Sequence, residues 1–371
     1  MNDFLKYAVT GVQNINPYQP GKPIEELERE LGISNALKLA SNENPLGPSV
    51  NAIKAAQAVM GQVNYYPDGA GHKLTMALAE KHGVSQDCIT LGNGSNDILE
   101  LIGRAFLNPS FAAIYSEYSF AIYPLVVQAV GAEARVAAAL PADHEFMPYG
   151  HDLMAMHEKI TSRTRVIFIA NPNNPTGTWL RPDHLVAFLT MVRSSILVVL
   201  DEAYFEYMPE ELKPNSKVLL KEHKNLIITR TFSKIYGLAG LRIGYSISHP
   251  DVANILNRVR QPFNTNMPAQ AAALAAIGDQ EHVKNSATLN AQGLKQFAKA
   301  FDEIDLHYLP SIANFIAVNV KKDGLQVYDD LLREGVIVRP VASYNMPEFL
   351  RITVGNEQQN IRVISALKKV L

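Results

Sequence analysis

The sequence predicts an α/β fold: a large domain with a mostly parallel central sheet and helices on both faces, and a smaller α+β C-terminal domain. Three observations carry this. At 371 residues the chain exceeds one typical domain length, so one large domain with a smaller companion is the natural division. From about residue 50, helix-length segments alternate with short β-branched apolar runs, the pattern of buried parallel strands. After about residue 268 that alternation gives way to an Ala-rich helical stretch, a long helix, and three apolar runs around a further helix.

Taken in order, residues 1–45 hold Pro17, Pro20, Pro23 and Pro45 and one amphipathic helical stretch over 24–31. They read as an N-terminal arm, expected to pack with the small domain. Residues 46–268 form the large domain, with strands expected at 88–91, 112–115, 166–170, 196–200, 226–229 and 243–247. Residues 269–371 form the small domain, with strands expected at 315–320, 336–339 and 350–354.

Composition excludes several function classes. Charged residues are 19% of the chain and the net charge is -2, so binding of nucleic acid or a membrane surface through bulk charge is not expected. No apolar run approaches the ~18 residues a span needs, and the N-terminus lacks a basic segment followed by an apolar one. The single cysteine, Cys88, allows neither an internal disulfide nor a Cys cluster for zinc, and fits a reducing, cytoplasmic setting. The histidines, including His151 and His157, lack metal-ligand spacing; they read as surface residues, and no metal is assigned.

Polar residues at the carboxyl ends of the strands are where an open α/β sheet places its ligand. Four such turns stand out. In Arg230-Thr-Phe-Ser-Lys, Lys234 follows a strand and Arg242 lies eight residues on. A desolvated lysine can act as an imine-forming nucleophile, and the Thr231 and Ser233 hydroxyls with Arg242 supply donors for a phosphate. Asp201 ends the run Val198-Val-Leu-Asp, where a carboxylate can pair with a protonated pyridine nitrogen. Asn174, in Asn171-Pro-Asn-Asn-Pro-Thr-Gly, offers an amide to a phenolic oxygen. Gly94, Ser95 and Asn96 open a helix after a Gly-rich turn and present backbone N–H groups to an anion.

Each turn alone also has a plain structural reading: a surface lysine, a helix-capping or metal-binding aspartate, a rigid turn. Together they supply what pyridoxal phosphate requires. The Gly-x-Gly-x-x-Asp turn departs from the dinucleotide fingerprint, and there is no Walker motif, so neither NAD nor ATP is favoured.

In this order the four turns resemble the fold-type-I aminotransferases. With Asn42-Glu-Asn-Pro-Leu-Gly, Tyr65-Tyr-Pro-Asp-Gly and Leu350-Arg-Ile-Thr-Val-Gly, the chain is similar to the histidinol-phosphate aminotransferase family of the class-II subgroup over almost its full length. The resemblance implies an aspartate-aminotransferase-like fold with pyridoxal 5'-phosphate held by Lys234 as a Schiff base. It makes Lys234 the proton shuttle, Asp201 the ring-nitrogen partner, and Asn174 and Tyr204 donors to the phenolic oxygen. Tyr118 would stack on the ring. Ser95, Asn96, Thr231, Ser233 and Arg242 would hold the phosphate, joined by Tyr66 from the other subunit of a homodimer with a shared site. Arg339 and Arg351, with Tyr18 closing over them, would bind substrate.

The implied reaction is ping-pong transfer of the amino group of L-glutamate to imidazole-acetol phosphate. It gives 2-oxoglutarate and L-histidinol phosphate in histidine biosynthesis. Two readings compete: an aromatic aminotransferase or related enzyme acting on a phosphorylated amino acid, and a ligand-sensing protein on the same scaffold. Such sensors carry a DNA-binding domain, for which the first 45 residues are too short and proline-rich.

Overall fold

The computed structural model describes residues 4–17 and 21–371. Among these are twelve strands: β1 Leu37–Lys38, β2 Ile89–Gly92, β3 Ala112–Ser116, β4 Glu133–Ala137, β5 Thr164–Ala170 and β6 Leu197–Asp201 in the first half. There follow β7 Leu226–Thr231, β8 Gly244–Ser248, β9 Phe315–Asn319, β10 Val336–Ile337, β11 Arg339–Pro340 and β12 Phe349–Thr353.

Seven of them form one sheet in the order β2-β8-β7-β6-β5-β3-β4. The strands β3 to β7 pair in parallel. Their apolar runs are buried on both faces, because side chains alternate across a strand and helices cover each side. Phe168, Val199 and Ile227 face one helical layer with Leu99 and Tyr123, whereas Ile167, Leu200 and Ile228 face another with Met156 and Phe188.

Several strands differ from the sequence expectation: β1 was not expected, the single run expected at 336–339 divides into β10 and β11 in different sheets, and β8 and β4 depart as follows. The run at 243–247 was expected to be parallel, but β8 pairs antiparallel to both β2 and β7. The segment before it holds only a short 3₁₀ turn, Ala239–Leu241, and no crossover helix, so the chain returns directly alongside β7. Strand β4 was not expected at all. It is an edge strand with alternating exposure and carries Glu133 and Arg135, so it lacks the apolar run that marks its neighbours.

The Ala-rich helix Met267–Gly278 packs on the helix Val50–Val59, where Ala52, Ala269, Ala272 and Ala273 let the two backbones approach closely. The helix Gln280–Glu303 then runs 24 residues, about 36 Å at the α-helical rise, to the second sheet. There β11, β12 and β9 form an antiparallel sheet, and β1 pairs with β10. No helix among the described residues is long and apolar enough to cross a membrane.

The N-terminal segment divides its contacts. Helix Ile24–Leu31 buries Leu27 against Ile337, in line with packing on the C-terminal sheet. The short helix Thr10–Gln13 lies instead against the helix Ile122–Ala129 of the large sheet. A Cβ on Gly11 would stand 2.1 Å from the Gln128 carbonyl oxygen, so only glycine fits that approach.

Candidate active site

A cavity of about 180 Å³ opens at the carboxyl ends of β5, β6 and β7, between the two sheets. Strand alternation decides what reaches it. Asp201, Thr229 and Thr231 lie on one face of β6 and β7; Glu202 and Arg230, the intervening residues, lie on the other. Asp201 is buried and accepts hydrogen bonds from Tyr123 Oη (3.0 Å) and Thr229 Oγ1 (3.0 Å). Burial pushes its carboxyl above the usual range, and these two donors with the Ala203 N–H offset that only in part. A neighbouring cation would complete the compensation.

Lys234 follows β7, and its Nζ donates to the Ser41 carbonyl oxygen at 2.9 Å. Burial, followed by the charges of Arg351 and Arg242, lowers its pKa to about 7, against the opposing pull of Glu43. Near neutral pH the amine is therefore available as nucleophile and base. Beside it Thr231 Oγ1 donates to Ser233 Oγ at 3.0 Å, and Arg242 Nη1 donates to Ser233 Oγ at 3.2 Å.

The turn Gly92-Asn-Gly leads into the helix Ser95–Phe106, whose first N–H groups face the same end of the cavity as Arg242. Gly94 has φ +80°, and a Cβ there would lie 2.4 Å from Arg242 Nη2. Glycine thus keeps open a cup bounded by hydroxyls, helix N–H groups and a guanidinium.

The second sheet supplies the opposite wall. Arg339 on β11 is the register partner of Arg351 on β12, so both cations project from the same face. Arg351 Nη1 donates to Asn174 Oδ1 at 2.6 Å, and Nη2 to the Ala40 carbonyl oxygen at 2.7 Å. With its oxygen engaged, Asn174 keeps its amide N–H₂ as a donor. Three guanidiniums, Arg242, Arg339 and Arg351, and the amine of Lys234 line the cavity, whose one acidic lining residue among the described residues is Asp201. Such a site selects anions.

The expected residues Ser95, Asn96, Asn174, Asp201 and Tyr204 all reach this cavity, as do Thr231, Ser233, Lys234, Arg242, Arg339 and Arg351. Gly94 caps the helix beneath it. Two further expected residues, Tyr118 and Tyr66, do not line it. Tyr118, expected to stack on a ring, packs edge-on against Tyr149 at 5.0 Å, and Phe120 lines the cavity in its place. Tyr66 is exposed and stacks on Phe263 at 4.6 Å. Tyr18 lies outside the described residues.

Sequence reasoning missed Tyr123 as the partner of Asp201 and Asn42 as the partner of Tyr204. Both act across long chain separations, so no local pattern marks them. His151 was also misread: it is buried, and its Nε2 donates to the Ala170 carbonyl oxygen at 2.9 Å.

A buried carboxylate, a desolvated lysine, an amide and a phenol, set beside a cup of anion donors, fit pyridoxal phosphate at its ring nitrogen, aldehyde, phenolic oxygen and phosphate. Comparison with known proteins agrees. Residues 34–367 match the family model described as aminotransferase class I and II. Histidinol-phosphate aminotransferase 1 of Nitrosococcus oceani is 53% identical, with 99% of this chain and 98% of that protein covered. Histidinol-phosphate aminotransferase 2 of Pseudomonas aeruginosa is 52% identical, covering 100% and 99% respectively. The crystal structure of histidinol-phosphate aminotransferase from Sinorhizobium meliloti in complex with pyridoxal-5'-phosphate superposes with a TM-score of 0.88. It is 29% identical and covers 98% of this chain and 96% of its own. On its fold, its site and these relatives, the chain belongs to the class I and II aminotransferases.

Proposed function

We propose that this chain is a pyridoxal-phosphate-dependent histidinol-phosphate transaminase. It would transfer the amino group of L-glutamate to imidazole-acetol phosphate, giving 2-oxoglutarate and L-histidinol phosphate, a step of histidine biosynthesis. The observation that carries this reading is the pairing of Arg339 with Arg351 across β11 and β12, above the buried amine of Lys234. Two adjacent guanidiniums suit a pocket that must hold the carboxylates of glutamate in one half-reaction and a phosphomonoester in the other. The names borne by full-length relatives support the same substrate.

When bound, the cofactor supplies an electron sink for the charge that develops at the substrate α-carbon. The residues do the rest. Asp201 would accept a hydrogen bond from the ring nitrogen and keep it protonated. Asn174 and Tyr204 would donate to the phenolic oxygen. Ser95, Asn96, Thr231, Ser233 and Arg242 would hold the phosphate and Lys234 would hold the cofactor at its aldehyde carbon, while the Lys234 amine can carry the α-proton as general base and acid. Arg351 orients the substrate anion, and its bond to Asn174 ties substrate binding to the cofactor side.

The proposal includes residues 1–45 as an arm, 46–268 as a cofactor-binding domain and 269–371 as a small domain. It also includes a homodimer in the cytoplasm. Val50, Val63, Tyr65 and Tyr66 are large and exposed, Tyr66 at 79%. Their exposure supports an interface through which Tyr66 of the partner subunit reaches the phosphate end of the site. One free cysteine, Cys88, suits a reducing compartment.

Absorbance titration tests the reading. Loaded with cofactor, the protein should show a visible band near ~420 nm that histidinol phosphate bleaches towards ~330 nm. Bleaching by phenylalanine alone would move the assignment to an aromatic aminotransferase. Absence of any visible band would overturn the cofactor reading.

A further inference from the structure

The hydroxyl of Tyr204 can donate to a cofactor only if its proton points into the cavity. Tyr204 is buried, and Asn42 Nδ2 donates to its oxygen at 2.9 Å. That bond occupies a lone pair and leaves the proton for another acceptor; no described residue accepts it. The charged and titratable groups near the Tyr204 oxygen are Arg351, Asp201, Tyr344 and Lys234.

The direction of the Asn42 amide therefore matters, and Thr353 sets it. Thr353 Oγ1 accepts the backbone N–H of Asn42 at 2.9 Å and donates its own proton to Asn42 Oδ1 at 3.2 Å. If the amide were reversed, its N–H₂ would face Thr353 and its oxygen would face Tyr204. The Thr353 hydroxyl proton would then lack an acceptor at a site that is 2% exposed. Tyr204 would at the same time turn its proton onto Asn42. The backbone of this segment cannot drift to relieve the arrangement. Asn314 Nδ2 holds the Asn42 carbonyl oxygen at 2.9 Å, and the Thr353 N–H donates to the Leu39 carbonyl oxygen at 2.9 Å.

We propose that Thr353 is a positioning residue of the transaminase: through the Asn42 amide it turns the Tyr204 hydroxyl proton into the cavity, towards the phenolic oxygen of the bound cofactor. A hydroxyl on β12, 149 positions along the chain from Tyr204, thus fixes the polarity of a bond it does not touch. This rests on the reading of Tyr204 as a donor to the cofactor, and the test separates the two.

The readout is the pH midpoint of the visible band of the loaded enzyme, measured without substrate. A donor to the phenolic oxygen stabilises its negative charge and lowers that midpoint, so loss of the donor raises it. Tyr204→Phe should raise the midpoint by about one unit or more. Thr353→Val, which removes the hydroxyl at nearly constant shape, frees the amide to reverse and should raise it by about half a unit. Thr353→Ala should shift it in the same direction and guards against misfolding of the valine variant. Thr353→Ser keeps the hydroxyl and should restore the wild-type midpoint. An unchanged midpoint in Tyr204→Phe would defeat the reading of Tyr204 itself. A shift in Tyr204→Phe with wild-type midpoints in both Thr353→Val and Thr353→Ala would overturn the role of Thr353 alone.

Discussion

Asp201 and Glu202 are adjacent carboxylates at the end of one strand, both buried, yet the protein uses them in opposite ways. Asp201 faces the cavity and meets only neutral donors, Tyr123 and Thr229. Glu202 faces the other side, where Arg230 Nε donates to it at 2.7 Å and Arg230 also pairs with Glu206 and stacks 3.6 Å above the Phe205 ring. The strand period of two separates a carboxylate met by neutral donors from one paired with a guanidinium. A buried carboxylate beside a cation is thus no sign of a site in itself. The sign is a buried carboxylate whose protein partners leave its charge unmet.

That contrast can be broken from either side. On the cavity side the largest effect is on chemistry. Lys234→Ala should lower transamination by ~10⁴-fold or more, since it removes both the covalent tether and the proton carrier. A coupled assay for 2-oxoglutarate would measure it, and the far-UV spectrum should stay native. On the packed side the effect is on stability. Arg230→Met strands Glu202 in the interior and should cost about 3–5 kcal/mol in urea unfolding. Changing Glu202→Leu in the same chain should recover much of that loss, because an apolar pair needs no compensation. If the double variant unfolds as early as Arg230→Met, the pair is not what makes that side stable.

How much of this was legible in the sequence follows the same division. Lys234, Asp201, Asn174 and Arg242 sit at strand ends and turns, where local pattern and chemistry coincide, and all four reach one cavity. Strand alternation could have been read to put Asp201 and Glu202 on opposite faces, but not to say which face holds the cavity. Tyr123 reads as core because it is core: its ring stacks on Phe168 at 5.0 Å while its hydroxyl serves Asp201, 78 residues away. The double role is invisible without the fold. The antiparallel course of β8 was hidden too, since a buried strand shows the same apolar run in either direction.

Protonation offers a finer probe of the cavity side. In the cofactor-free protein the Lys234 pKa falls to about 7 from an ordinary 10.5, so between those values the unfolded chain binds a proton that the folded one has released. Stability should then rise with pH across that window, and below it the buried ammonium is a standing cost. Lys234→Met removes the group. Its apoprotein should melt above wild type at about pH 6, by the order of 2 kcal/mol once solvent in the open cavity is allowed for, and the gap should close towards about pH 10. A gap independent of pH would mean that the lysine is solvated as if at the surface.

The smallest expected effect compares two buried tyrosines that differ in what their hydroxyls serve. Tyr123 donates to Asp201; Tyr245 on β8 meets His82 Nε2 at 2.9 Å, away from the cavity. Removing either hydroxyl deletes one hydrogen bond and leaves the ring in place, so each loss is on the order of 1 kcal/mol. The two variants should part in cofactor release. For Tyr123→Phe, Asp201 becomes a weaker partner for a protonated ring nitrogen, and cofactor dissociation, followed by loss of the visible band on dilution, should quicken about fivefold. Its apoprotein should also melt lower, by about 1 kcal/mol, because the buried carboxyl loses a donor that offsets its burial. For Tyr245→Phe the melt should fall while cofactor release stays at the wild-type rate, since the partner it abandons is a histidine that burial holds neutral, with a pKa of about 3. Equal release rates in the two variants would mean that Asp201 does not rely on Tyr123, and the distinction between the two faces of the sheet would then rest on the lysine alone.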